Sequence, residues 1–293
     1  MTNRFALAVY VLLGVAACVI LFTPVHAADA VSSPPGYKLV WSDEFDYEGL
    51  PDPAKWDYEE GYVRNNEAQF YTRARKENAR VEDGVLVIEA RKEHFQKPAS
   101  CGDRRDKASV KPSADYAEYT AASLITLGRA SWQFGRIEVR AKLPQGQGVW
   151  PAIWMLGDNI RKIGWPACGE IDIMEFVGHT PNKVHGTVHY RKDGQHKSSG
   201  GALTVTEPWA DFHVYAVEWT SERMDFFFDQ QKYHSVDVKT ADDQGRNPFH
   251  QPQYLLINFA LGGSWGGKID DSVLPQKYLG DFVRVYQKDG VQP

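Results

Sequence analysis

Between residues 85 and 286 the chain is a succession of short runs rich in β-branched and aromatic residues, each closed by a turn signal. The runs are 85–90, 122–127, 136–143, 171–176, 184–190, 214–219, 224–228, 254–259 and 282–286, and Asp83-Gly84, Leu143-Pro144, Gly194 and Gly262-Gly263 fall between them. Such residues suit a pleated, half-buried surface, and a helical period is nearly absent. Strands of this length and spacing must cover one another's apolar faces, which predicts one all-β domain built as a large antiparallel sandwich. There is no internal repeat. The polar, charged segment 96–117 departs from the pattern and reads as a long loop or insertion, either beside a site or a solvated excursion.

The N-terminus reads differently. Arg4 precedes an apolar run over 5–22, and Val25-His26-Ala27 supplies a small-x-small cleavage signature, so residues 1–27 are expected to be an export signal. Residues 28–36 then form a linker and 37–288 the body, in a secreted or periplasmic protein. Two alternatives stay open. Val15-Ala16-Ala17-Cys18 resembles a bacterial lipobox that would lipidate Cys18, although the apolar run 19–22 follows it. An uncleaved anchor helix is the other, since about 18 apolar-to-small residues just reach spanning length. The processed chain would carry 32 basic against 38 acidic residues, scattered. That leaves no electrostatic footprint for nucleic acid, and no membrane contact is expected once the signal is cleaved. Export also bears on Cys101 and Cys168, the two cysteines left: a disulfide and a buried free Cys168 both remain open.

Residues 168–178 read CGEIDIMEFVG and place three acids in one short strand. Side chains alternate with period two, so Glu170 and Asp172 share a face while Glu175 points away from it. One extra residue at Ile173 or Met174, a β-bulge, restores the phase and puts all three on one face with Ile171 behind them. A sandwich core would not accept three carboxylates, so that face must be a cleft. Glu170 and Glu175 are then four strand positions apart, roughly 13 Å at ~3.3 Å per residue. Leaning side chains can close the carboxyl gap to the ~5–5.5 Å of a retaining glycosidase, though arithmetic alone leaves the wider inverting gap open. One Glu would be the ionised nucleophile and the other the protonated acid, its pKa raised by the neighbouring charge. Asp172, between them, would hold the nucleophile and balance charge. A calcium site or an exposed acidic strand is the bland alternative, weakened by the absence of Lys or Thr within the run.

At these residues the chain resembles glycoside hydrolase family 16, in particular its laminarinase-like endo-β-1,3-glucanases. The resemblance rests on GEIDIMEF, preceded by GQGVWPAIWMLG (146–157) and WPACGE (165–170). It extends over WSDEF (41–45), NNEAQFYT (65–72), FGRIEVRAKLP (134–144), FHVYAVEWT (212–220) and DFVRVYQ (281–287). It implies a β-jelly-roll of two curved antiparallel sheets with a concave substrate cleft, and double displacement with retention. Glu170 would be the nucleophile, Asp172 its assistant and Glu175 the acid/base. The form with the extra Met174 resembles the bulged laminarinase branch rather than a lichenase. The resemblance also assigns Asn65 and Arg91 to sugar hydroxyls, and a structural Ca²⁺ to Glu44, the Gly84 backbone and Asp281; no cofactor is implied for catalysis.

Trp150, Trp154 and Trp165 closely precede the acidic strand and are expected to offer ring faces to the apolar side of a pyranose. Trp41, Trp56 and Trp219 lie in hydrophobic runs and read as core. His189, on the next strand, could reach Glu175, and His185 and His189 share a face, but a zinc site would lack its remaining ligands. After His189 the charged Tyr190-Arg191-Lys192-Asp193-Gly194 departs from the family's turn and puts the far subsites in question. Three functions remain: a monomeric endo-acting β-1,3-glucan hydrolase; a related hydrolase of mixed-linkage glucan or galactan, or a transglycosylase; and a sugar-binding module without turnover, against which the paired acids count.

Overall fold

The computed structural model describes residues 33–98 and 115–288. The export segment, Cys18, residues 28–32 of the linker and Cys101 lie outside them. All nine predicted runs are strands, and they belong to two sheets. The larger has ten strands. In spatial order they run Gln231–Asp237, Arg223–Phe228, His213–Trp219, Gly135–Lys142, Gln276–Lys288, Val85–Gln96, Tyr116–Ala121 and Phe70–Tyr71, with Tyr37–Asp43 paired to Gln276–Lys288 and Ala79–Glu82 to Val85–Gln96. The seven-stranded sheet runs Gln195–Thr204, Lys183–Lys192, Glu170–Glu175, Val149–Gly157, Gln253–Leu261, Ser123–Ile125 and Asp57–Tyr58. The pairings are antiparallel except that of Phe70–Tyr71 with Tyr116–Ala121.

Alternation builds the core. Along Gly135–Lys142, Ile137, Val139 and Ala141 are buried in the main cluster, while Arg136, Glu138 and Arg140 face away. Ile153, Met155, Ile171, Ile173, Met174, Leu255, Ile257 and Phe259 supply the opposing layer from the smaller sheet. The result is a jelly-roll sandwich. The other face of the smaller sheet is also covered: Ile125, Ala152, Trp154, Leu156, Cys168, Tyr254 and Leu256 form a second cluster. Val149–Gly157 and Gln253–Leu261 are therefore buried at every position and read as continuous apolar runs rather than alternating ones.

The structure bears on three expectations. The ends of segment 96–117 are paired strand, Gln96 opposite Tyr116 and Phe95 opposite Ala117, and residues 99–114 lie outside the described residues. Cys168 is a buried free thiol, and burial, with the Glu170 charge beside it, pushes its pKa up to about 11. Phe45, Leu86 and Gly280 line one small pocket, so the segments holding Glu44, Gly84 and Asp281 do meet. The two carboxylates are nevertheless engaged, Glu44 by Arg284 at 2.7 Å and Asp281 by Arg140 at 2.7 Å. A calcium ion, which takes several oxygen ligands, would have to share these carboxylates with the guanidinium groups. Among the described residues no helix is long and apolar enough to cross a membrane.

Candidate active site

Gly169 turns the chain into the acidic strand at φ +77°, and a Cβ there would lie 2.9 Å from the Pro248 side chain. From Glu170 the strand pairs regularly: Glu170 with Leu156 and His189, Asp172 with Trp154 and Thr187. The register then slips on both sides, and Glu175 returns opposite Ala152 and His185. This is the bulge that the odd spacing demands, and it falls at Ile173-Met174. Ile171, Ile173 and Met174 all pack into the main core. Glu170, Asp172 and Glu175 line one cleft with Arg64, Asn65, Glu67, Trp150, Ala152, Trp154 and Asn258.

The row lies deeper than a solvated strand face would. Asp172 is only 2% exposed. Burial, then the Glu170 charge and a hydrogen bond shared with Glu170, raises the Asp172 pKa well above the ordinary carboxylate range. Burial also raises Glu170, but His189, the Trp165 indole, Arg64 and the Asp172 bond all oppose it. Glu175 is raised well above its ordinary value by burial and then by the charges of Asp172 and Glu170, with the Trp150 bond opposing. Two glutamates on one face are thereby pushed apart in function: Glu170 is the better supported anion and Glu175 the better acid.

Each glutamate also accepts a bond from a tryptophan N–H. Trp165 donates to Glu170 Oε2 at 2.7 Å and Trp150 to Glu175 Oε1 at 3.1 Å. Trp154 donates to Asn258 Oδ1 at 2.7 Å, Asn258 donates to Tyr71 Oη at 2.9 Å, and that hydroxyl donates to Glu67 at 3.1 Å. Only Trp165, 50% exposed, offers an open ring as expected; Trp150 and Trp154 are 7% and 6% exposed. The reason is what covers them: Arg64 lies 4.7 Å over the Trp154 ring, and Trp265 packs edge-on at 5.5 Å from Trp150. Trp56 and Trp219 are core residues, and Trp41 packs against the core.

Asn65 reaches the cleft from a left-handed turn (φ +55°) and donates to Glu67 at 3.2 Å. Arg91 does not reach it. Ile88 and Ala90 point into the core, so Arg91 shares the other face of its strand with Glu89 and pairs with it. His189 lies beside Glu170 and Asp172 rather than Glu175, because register sets it opposite Glu170. Its Nε2 is 3.2 Å from Asp172 Oδ2 and 3.9 Å from Glu170 Oε1. His185 is the residue opposite Glu175, and its ring rests on Trp265 at 5.0 Å. Arg64, Glu67, Asn258 and Trp265 were not foreseen here, and His185 was weighed only as a zinc partner of His189. A lone Asn inside the apolar run YLLINFAL was the one visible sign, because a buried amide needs partners.

Known proteins resemble this chain in sequence and fold. The model of the family "Glycosyl hydrolases family 16" matches residues 66–274. A β-glucanase of Rhodothermus marinus is 45% identical over 272 residues, covering 89% of this chain and 88% of its own. The solved laminarinase from Rhodothermus marinus is 45% identical with a TM-score of 0.72, over 86% of this chain and 98% of that one. A non-specific endo-β-1,3(4)-glucanase from family GH16, co-crystallised with 1,3-β-D-cellotriosyl-glucose, is 42% identical with a TM-score of 0.77, over 88% of this chain and 97% of that one. With a matched sequence model, close relatives over nearly the whole described body and three acids returned to one cleft face, this chain belongs to glycosyl hydrolases family 16.

Proposed function

We propose that the chain is an endo-acting hydrolase of β-1,3-glucan, working by double displacement with retention. The bulged strand carries the reading, since it brings a supported anion and a raised-pKa acid to the same face of one cleft. Glu170 attacks the anomeric carbon while Glu175 gives its proton to the departing glycosidic oxygen, leaving a glycosyl-enzyme ester. Glu175, now a carboxylate, takes a proton from water, and that water's oxygen displaces Glu170 from the anomeric carbon. Protonated Asp172 donates to Glu170 and restrains its carboxylate.

The substrate class follows from the relatives, among them the laminarinase. The non-specific endo-β-1,3(4)-glucanase supports mixed-linkage glucan as a second substrate. We place the activity outside the cytoplasm, on the N-terminal export pattern, and in a monomer. Reducing-end release from laminarin, lichenan and agarose tests the reading beside a Glu170→Gln variant. Laminarin is expected to be cut fastest, lichenan more slowly and agarose not at all, with the variant about a thousandfold slower or worse. Equal rates for wild type and variant would overturn it.

A further inference from the structure

The nucleophile's surroundings lead outward to a residue on the sheet edge that touches no catalytic acid. His196, on Gln195–Thr204, places its Nε2 2.9 Å from His189 Nδ1, with the two rings stacked at 5.1 Å and 24°. The same ring lies 4.7 Å from Trp165, the residue that donates to Glu170. One side chain thus contacts both neighbours of the nucleophile. On the inner side, His189 Nε2 lies 3.2 Å from Asp172 Oδ2, a buried oxygen that has no hydrogen-bond partner as placed.

Proton counting gives this arrangement a direction. A neutral imidazole has one N–H and one bare nitrogen, and the neighbour of one nitrogen decides the state of the other. Asp172 Oδ2, a buried carboxyl oxygen without a hydrogen-bond partner, is an acceptor within reach of His189 Nε2. His189 must then carry its proton on Nε2 and leave Nδ1 bare, and a bare Nδ1 needs a donor. His196 is the donor in reach. Resting on the retaining mechanism above, we infer that His196 is a positioning residue that selects the Nε2–H tautomer of His189. The donors then run from His196 to His189 and on to Asp172, the neighbour of the nucleophile.

The paired strands make this geometry available. His189 and Ser198 are cross-strand partners, as are Arg191 and His196, so His196 sits two residues along the same face and leans back across it. Exposed on an edge strand, it can be replaced with little effect on the core.

Two readouts decide the matter, using the whole protein and three variants. Long-range proton–nitrogen NMR of histidine-labelled protein should show His189 protonated at Nε2 in the wild type. In His196→Phe, which keeps a ring against Trp165 but no donor, the His189 signals should shift towards a tautomer mixture. On laminarin, His196→Ala and His196→Phe should each lose about tenfold in kcat, with KM within about twofold, as for one lost hydrogen bond. His196→Gln, whose amide can donate to Nδ1, should recover most of the loss. A wild-type His189 protonated at Nδ1, signals unmoved by His196→Phe, or a Phe variant as active as the Gln variant would each overturn the inference. Wild type inert on laminarin would sink the proposed substrate instead, and the NMR arm would still decide the role of His196, since it needs no turnover.

Discussion

Trp165 donates to Glu170 and Trp150 to Glu175, and each bond favours the ionised carboxylate, so each indole lowers the pKa of its partner. In the proposed mechanism the two acids have opposite duties. Glu170 must be ionised, so activity is lost as pH falls through its pKa; Glu175 must be protonated, so activity is lost as pH rises through its pKa. Removing a donor raises the partner's pKa. Trp165→Phe is therefore expected to move the acid limb of kcat/KM to higher pH, and Trp150→Phe to move the alkaline limb to higher pH. A profile over pH 3 to 10 for each variant checks both signs, and a downward shift in either would contradict the bonding described. Azide separates the roles more sharply. With an activated aryl glucoside, Glu175→Ala should be rescued to a β-glycosyl azide, because Glu170 still forms the ester that azide opens. Glu170→Ala should be rescued to the α-azide by direct displacement. Exchanged products would reverse the assignment.

At the scale of the element, phase decides everything about the acidic strand. Deleting Met174 leaves E-I-D-I-E, in which the three acids alternate onto one face without a bulge. The deletion removes a fully buried side chain, at about 2–5 kcal/mol, yet keeps the last Glu in the cleft. Inserting one Ala after Met174 has the opposite effect, turning Glu175 into the core beside Ile171. The deletion is expected to lower Tm but keep measurable laminarin cleavage, and the insertion to abolish cleavage; an active insertion variant would refute the phase argument. This dependence is also why the strand was legible from residues alone, since an odd offset between acids admits few solutions. Other elements were not. Val149–Gly157 drew notice for its tryptophans and not as a strand, because burial on both faces erases the alternation that marks one. Gln195–Thr204 is rich in Gly, Ser and polar residues, and its conformation comes from ten consecutive pairs with Lys183–Lys192 rather than from its own propensity. Misplacing His189 beside Glu175 has the same origin: partners across strands follow from register, which the strand's own residues do not state. Arg91 was misjudged for want of its neighbour, since Glu89 on the same face claims it.

Across the whole molecule, the cleft floor is a sheet covered on both faces, by the main core behind it and by the second cluster flanking the acids. That double cover makes the site dry enough to raise the carboxyl pKa values, and the same dryness works against the folded state. A group whose folded pKa lies above its unfolded one is protonated in both states at low pH and then costs nothing. As pH rises past the ordinary Glu value of 4.5, the unfolded chain ionises Glu175 while the folded chain resists, and stability is lost until the raised folded pKa is reached. Glu175→Gln keeps an oxygen for the Trp150 indole and removes this loss. The variant is therefore expected to be inactive yet more stable at pH 7, by a few degrees in Tm at about 2–4 °C per kcal/mol. Its advantage should shrink towards zero near pH 4, where both forms are neutral, folded or unfolded. Calorimetric scans of wild type and variant at both pH values measure the difference directly. A Tm gain that is absent at pH 7, or that persists undiminished at pH 4, would mean that burial of Glu175 carries no such penalty and that its role as the acid lacks the electrostatic origin argued here.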